Sequence, residues 1–212
     1  MNLREQAQAM IELQDTFNQR INKNWRNAGY AWYRAIWLEA AELCEKYPWK
    51  WWKAGQPIDK TQAHLELTDV WHFLISQAIV EGFGVDRLTA VLELANRATL
   101  PHSADVEVIE SLALAALQQD LNATTTAFAV ACCTLGLDAS ALYRLYVGKN
   151  ALNVHRNKHG YKEGTYLKVW NGLEDNQHLE AIMESGVIDF DGVVAALAEH
   201  YKLATSAGRA LQ

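Results

Sequence analysis

The sequence predicts an all-α fold, and two observations support this prediction. Apolar residues recur at helical spacing, as in the stretch 3–22, where Leu3, Ala7, Met10 and Leu13 lie three or four positions apart. No stretch shows the alternation of apolar and polar residues that is typical of a half-buried strand. The chain has 212 residues, half of them hydrophobic, which is ample for a helical bundle with a buried core.

Breaks in the pattern divide the chain into segments of helical length. They are expected at 27–29, Pro48, 82–84, Pro101, Asn122 and Gly136. Helices are expected at about 3–22, 30–46, 61–81, 86–98, 105–119, 122–135, 138–156 and 191–203. The final residues are expected to fray.

Composition disfavours several classes of protein. A net charge of −6 disfavours nucleic acid or an anionic membrane surface as a partner. The first residues do not resemble a signal peptide, and no long apolar run predicts a membrane span. The adjacent Cys132 and Cys133 would make an awkward disulfide, and no spacing indicates zinc. With Cys44, they are expected to be buried thiols in a reducing cytoplasm.

Two apolar segments carry carboxylates at the same spacing. Glu39 and Glu42 lie three residues apart, as do Glu66 and Asp69, so each pair shares one face of a helix. Four carboxylates brought together in a dry place would repel one another and take up protons, unless hard cations neutralised them. The pattern predicts an acidic Mg²⁺ site between two helices. His72 continues the second face, and we interpret it as a packed, hydrogen-bonded residue.

A basic stretch interrupts the acidic chain. Residues 149–168 contain five lysines or arginines and one acid. Lys149, Asn153 and Arg156 share one face of a helix, and two glycines follow in 159–168. Such donors are suited to bind a polyphosphate. The alternative interpretation of this stretch is an ordinary basic surface patch.

Two further features suit a nucleobase. The amides of Gln14 and Asn18, four residues apart, could read a base edge or could belong to a solvated helix face. Trp49, Trp51 and Trp52 could stack on a flat heterocycle or could plug the end of the bundle.

Together these features are consistent with hydrolysis of a nucleoside triphosphate. Metals about 4 Å apart can activate a water and stabilise the leaving oxygen of an in-line displacement. Basic side chains can neutralise the phosphate chain. The sequence contains no Gly-rich Walker loop, which excludes a P-loop NTPase.

The motifs resemble those of a known family. Glu39-x-x-Glu42 followed by Glu66-x-x-Asp69 resembles the motif of the all-α nucleoside triphosphate pyrophosphatases. The runs WKWWK at 49–53, DVWHF at 69–73 and HGYKEGTY at 159–166 resemble those of the dimeric dUTPases, and the resemblance spans about residues 10–176.

The resemblance implies an all-α homodimer that hydrolyses dUTP, and also dUDP, to dUMP with Mg²⁺ and keeps uracil out of DNA. Two or more Mg²⁺ ions are expected, and neither nucleic acid nor a membrane is an expected partner. We expect one domain over 1–212. Its parts are core and active-site helices at about 3–82, further helices at about 86–156, a mobile substrate-closing loop at about 157–176 and a tail at 177–212.

The resemblance also implies residue roles. The metal ligands would be Glu39, Glu42, Glu66 and Asp69. The catalytic residues would be Glu39 and Glu42, with Glu39 preferred as the general base. The phosphate contacts would be Lys149, Asn153, Arg156, Tyr161, Lys162, Lys168 and Asn176. The base contacts would be Gln14, Asn18 and Trp51.

The chain departs from the family pattern at one position. The family usually has an aromatic residue before the arginine of its LNxxR helix, where this chain has His155. The departure could alter the packing around Arg156 or the nucleotide preference. A related pyrophosphatase for dCTP or a modified nucleotide, and a non-hydrolysing nucleotide-binding regulator, are the alternative functions.

Overall fold

The structure is a computed structural model that describes residues 1–53, 55, 57–97 and 105–209, with side chains as far as residue 205. It confirms the all-α fold. The helices are α1 (Leu3–Ile21), α2 (Trp32–Cys44), α3 (Lys60–Val80), α4 (Val85–Ala95), α5 (Asp105–Leu117), α6 (Leu121–Leu135), α7 (Ala139–Lys158), α8 (Asp175–Glu184) and α9 (Phe190–Arg209). A 3₁₀ turn spans Trp25–Asn27, and two short strands, β1 (Val169–Trp170) and β2 (Leu173–Glu174), precede α8.

Local sequence fixes the ends of several helices. Asn2 caps α1 and forms a capping box with Glu5. Asp59 and Asp120 accept hydrogen bonds from the first turns of α3 and α6 through their side chains. Gly136 ends α6 in the left-handed conformation, with φ +77°.

The chain forms two compact units, Met1–Tyr146 and Val147–Gln212. In the first unit α2 packs against α3 and α5, α6 packs against α4 and α5, and α1 packs against α3 and α4. Its core includes Trp71 and Phe128, whose rings stack with centroids 4.7 Å apart. The prediction of one domain over 1–212 stays a prediction.

The second unit contains the end of α7, the hairpin β1–β2, and helices α8 and α9. α9 packs against α8 and β1. The buried apolar residues of this unit are Ala151, Leu152, Trp170, Leu179, Ile182, Val193 and Leu197. The unit therefore has a small core of its own.

The sequence did not predict every helix and strand of the second unit. β1 pairs with β2 in an antiparallel hairpin around Asn171 and Gly172, both with positive φ, at 49° and 83°. Asn-Gly is a strong hairpin signal, whereas strands of two residues are too short to show an alternating pattern. α8 was not predicted, although Leu179 and Ile182 have helical spacing. The break expected at Pro101 and the fraying expected at residues 210–212 lie outside the described residues.

The cysteines form no disulfide. Cys44, Cys132 and Cys133 are all thiols, but only Cys132 is buried. The prediction of three buried thiols is therefore wrong for Cys44 and Cys133, which are half-buried.

No single helix in the described part of the chain has the length and apolar character needed to span a membrane. Helices α6 and α7 pass that test only when taken together, and they are bent by 106° at the break between them.

Two glycines at helix ends provide a matched test of local conformation. A Cβ would meet no atom within 4 Å at either Gly136 or Gly84, but φ is +77° at the first and −76° at the second. We expect Gly136→Ala to lower the free energy of unfolding by about 1 kcal/mol, because alanine is strained at positive φ. Gly84→Ala should be close to neutral, because alanine lowers the entropy of the unfolded chain but is a poorer N-cap for α4 than glycine. Urea unfolding followed by circular dichroism measures both, and equal effects would contradict this interpretation.

Candidate active site

Three of the four predicted metal ligands lie together between α2 and α3. Glu39, Glu42 and Glu66 each offer a carboxylate oxygen, and the three oxygens lie within 4.8 Å of one another. The packing of α2 on α3 places them there, because it buries residues beside them such as Ala40 and Leu67. Glu42 is exposed, while Glu39 and Glu66 are half-buried.

The fourth predicted ligand, Asp69, lies on α3 three residues after Glu66 and is half-buried. Within the described part of the chain, the group that meets the 4.8 Å limit does not include it. Its role as a ligand stays a prediction.

The donor set of this acidic group fits a hard divalent cation. All three donors are carboxylate oxygens, the ligands that Mg²⁺ prefers. Their mutual repulsion is opposed by Lys46, whose Nζ lies 3.0 Å from Glu66 Oε1. Among the described residues, this group thus attracts cations through carboxylate oxygens alone, a donor set that does not favour a softer metal.

The basic stretch is built around a buried ion pair in the second unit. Arg156 Nε and Nη2 each donate to a carboxylate oxygen of Asp175 at 2.8 Å, and Asp175 is fully buried. The Tyr166 hydroxyl donates to the same carboxylate at 2.9 Å. This bidentate contact fixes the plane of the guanidinium.

The pair shifts two pKa values. Burial opposes ionisation of Asp175, but hydrogen bonds and the charge of Arg156 outweigh it and hold the pKa of that carboxyl below its usual value. Burial, and then the Asp175 charge, raise the pKa of Tyr166. At neutral pH the tyrosine therefore remains a hydroxyl that can donate to the carboxylate.

Four other predicted phosphate ligands lie in the same unit, and two of them contact Arg156. Lys149 is buried, and its Nζ donates to Asn176 Oδ1 at 3.3 Å. Arg156 Nη1 donates to Asn153 Oδ1 at 3.4 Å, and the guanidinium lies 5.8 Å from the centre of the Tyr161 ring. Burial of Lys149 and pairing of Arg156 show that these two side chains do not form an ordinary basic surface patch.

The remaining two predicted phosphate ligands are exposed. Lys168 pairs with Glu174 at 3.3 Å, where both side chains are 54 % exposed, and Lys162 lies in the exposed turn that follows α7. Such a surface pair contributes little to stability, so Lys168 can be released at small cost.

Gln14 and Asn18 belong to a buried polar network rather than to a solvated helix face. Gln14 Nε2 donates to Asn18 Oδ1 at 3.0 Å, and Asn18 Nδ2 donates to Ser76 Oγ at 2.9 Å. Gln14 Oε1 accepts from the Tyr146 hydroxyl at 2.7 Å and lies 2.8 Å from His72 Nδ1.

The hydrogen bonds of this network determine which ring nitrogen of His72 carries the proton. Because Gln14 Oε1 can only accept, His72 carries its proton on Nδ1. The His72 ring also stacks on Tyr146, with centroids 4.0 Å apart, which confirms the prediction of a packed, hydrogen-bonded histidine.

Trp51 differs from these amides in its surroundings. It lies in the segment after α2 and is 88 % exposed, while its ring meets Trp52 edge to face at 5.5 Å. The alternative that the tryptophans plug the end of the bundle is wrong for Trp51. An indole so exposed is free to stack on a ligand.

A family model described as dUTPase matches residues 6–161, more than half of the chain. The chain belongs to the dUTPase family. This dUTPase therefore has dUTP diphosphatase activity and takes a nucleotide substrate. No curated protein matches the chain.

Two residues that contact predicted site residues were not predicted from the sequence, one in each unit. Asp175 pairs with Arg156, which lies 19 positions earlier in the chain and before the β1–β2 hairpin. Lys46 lies just after the end of α2 and belongs to none of the sequence motifs described above. Neither contact can be read from spacing on a single helix.

His155 takes the place of the aromatic residue that the family pattern leads one to expect. It is buried, and its ring packs against His159, Trp170 and Tyr201 with centroids 4.1, 5.4 and 5.1 Å away. Burial, and then the neighbouring His159, lower the pKa of His155 to about 4. The side chain therefore packs as a neutral aromatic ring.

Stability of this dUTPase should depend on pH through His155. The unfolded chain takes up the proton near pH 6.5 and the folded chain only near pH 4, so stability falls as pH falls through that interval. Between about pH 7 and about pH 5 we expect the wild type to lose about 2 kcal/mol more than His155→Phe, which cannot take up the proton. Urea unfolding at both pH values measures the difference, and equal losses would contradict this role of His155.

Proposed function

We propose that this dUTPase hydrolyses dUTP, and also dUDP, to dUMP in a reaction that depends on Mg²⁺, and so keeps uracil out of DNA. The observation that carries the proposal is the group of three carboxylate oxygens within 4.8 Å between α2 and α3. Glu39, Glu42, Glu66 and Asp69 would hold two or more Mg²⁺ ions. When bound, Mg²⁺ lowers the pKa of a coordinated water and offsets charge that develops on the phosphate oxygens.

The two glutamates of α2 have different roles in this proposal. Glu39 is half-buried and Glu42 is exposed. A general base must keep its orientation, and a carboxylate held among packed side chains does so better than one in solvent. We therefore assign Glu39 as the base that takes a proton from the attacking water, and Glu42 as a ligand.

The second unit is proposed to bind the phosphates. Asp175 accepts two hydrogen bonds from the Arg156 guanidinium and one from the Tyr166 hydroxyl. Because these contacts hold the guanidinium in place, it would meet a phosphate with little loss of conformational entropy. Lys149, Asn153 and Asn176 would act beside Arg156.

The segment after α7 is proposed to close over the substrate. Residues 161–165 are exposed, and the turn is held by a hydrogen bond from the Thr165 N–H to the Gly160 carbonyl. Tyr161, Lys162 and Lys168 lie on or beside this turn and would reach the phosphates on closure.

The base contacts and the assembly remain parts of the proposal. Gln14 and Asn18 each have a second amide N–H besides the one that they donate within the network, and this donor suits the carbonyl oxygens of uracil. Trp51 would stack on the ring. A homodimer is proposed on the family resemblance alone.

The reaction is tested by isotope incorporation together with a substrate panel. In water enriched in oxygen-18, attack at the α-phosphorus puts the label into dUMP and leaves pyrophosphate unlabelled. We expect this result with dUTP in Mg²⁺, much slower turnover of dCTP, dTTP and UTP, and loss of turnover when EDTA is added. Label in pyrophosphate, or equal turnover of all four nucleotides, would contradict the proposal.

The carboxylate roles are tested by charge-neutral substitutions. Glu39→Gln, Glu42→Gln and Glu66→Gln should each lower kcat by at least about 100-fold, because each removes a charge that the metal site requires. Glu45→Gln is the matched control, since Glu45 is exposed, pairs with Lys50 and lies outside the acidic group. Full activity in any of the three variants, measured as dUMP released, would remove that residue from the site.

A further inference from the structure

Lys46 forms an ion pair with a member of the acidic group. Its Nζ lies 3.0 Å from Glu66 Oε1, where the Glu66 side chain is 12 % exposed and the Lys46 side chain 29 %. The Glu66 carboxylate is also one of the three donors that lie within 4.8 Å of one another. The same carboxylate is therefore placed to bind either the Lys46 ammonium group or a metal ion.

The position of Lys46 is fixed by its own backbone. It lies in the turn that ends α2, and its N–H donates to the Leu43 carbonyl at 3.1 Å. The neighbouring Leu43 and Tyr47 are both buried. The turn is thus anchored on both sides of Lys46, and from there its ammonium group reaches Glu66 on α3.

The energetic effect of this contact depends on whether a metal is bound. Without a metal, an ammonium group beside a largely buried carboxylate offsets part of the repulsion among the three acids. With a divalent cation bound to Glu66, the ammonium group becomes a like charge at close range. One contact therefore stabilises the metal-free site and disfavours the metal-bound one.

We propose that Lys46 is a positioning residue that acts as the resident counter-cation of the acidic group and competes with the divalent ion for Glu66. It keeps Glu66 oriented when no ion is bound and weakens the affinity for the ion. This inference rests on the proposed function, because it requires that the acidic group binds a divalent ion.

Mn²⁺ titration of the full-length protein without nucleotide tests the inference, with free Mn²⁺ measured by electron paramagnetic resonance. Lys46→Met should bind Mn²⁺ about tenfold more tightly than the wild type, since the competing charge is removed. Its Tm in EDTA should fall by about 3 °C, because Glu66 loses its partner. Lys46→Arg, which keeps the charge, should retain an affinity close to that of the wild type.

Lys50→Met is the matched control. Lys50 pairs with Glu45, which lies outside the acidic group, so this variant loses the same charge without touching Glu66. Its Mn²⁺ affinity should stay close to that of the wild type. If Lys46→Met does not fold, Lys46→Gln provides the same test, and tighter binding is again expected.

The measurements distinguish a failure of the Lys46 inference from a failure of the proposed metal site. If Glu66→Gln weakens Mn²⁺ binding but neither Lys46→Met nor Lys46→Gln tightens it, the competition is refuted and the metal site stands. If Lys46→Met and Lys50→Met tighten binding equally, the effect is one of net charge and the inference is overturned. If the wild type and Glu66→Gln bind Mn²⁺ equally, or neither binds it, the proposed metal site itself fails.

Discussion

The packing of α2 against α3 is the contact on which the rest of the site depends. It buries apolar residues such as Ala40 and Leu67, and in doing so it brings Glu39, Glu42 and Glu66 within a few ångströms of one another. Carboxylates at that separation repel one another, so the apolar contact must outweigh their repulsion in the absence of a metal. The hydrophobic effect thus holds the acids in an arrangement that they would not adopt by themselves.

The second unit also brings charged groups close together, but there the charges have opposite signs. A guanidinium would be costly to bury alone, and Asp175 offsets that cost with two hydrogen bonds and a full charge. Tyr166 satisfies the same carboxylate, and Trp170 and His155 pack beside the tyrosine. Arg156 is consequently held in one orientation by its surroundings.

Features within one helix could be predicted from the sequence, and features that join distant segments could not. Spacing of three residues predicted that Glu39 and Glu42 share a face, because helical geometry is local. The contact between Lys46 and Glu66 depends on how a turn meets another helix, so no periodicity reveals it.

The same distinction between local and distant contacts explains the other features that the sequence did not predict. The Asn171-Gly172 hairpin is too short to show alternation, although its turn residues were informative. The pairing of Arg156 with Asp175 requires that hairpin to bring the two together. In contrast, the amides of Gln14 and Asn18 were predicted as neighbours, but their burial came from Tyr146 and Ser76 on other helices.

The three acids of α2 and α3 are proposed to bind a divalent cation together. Anomalous diffraction from crystals grown with Mn²⁺ tests it most directly. An anomalous peak within coordination distance of Glu39, Glu42 and Glu66 is the predicted result. A fully occupied peak elsewhere, with these three carboxylates free of any ion, would contradict it.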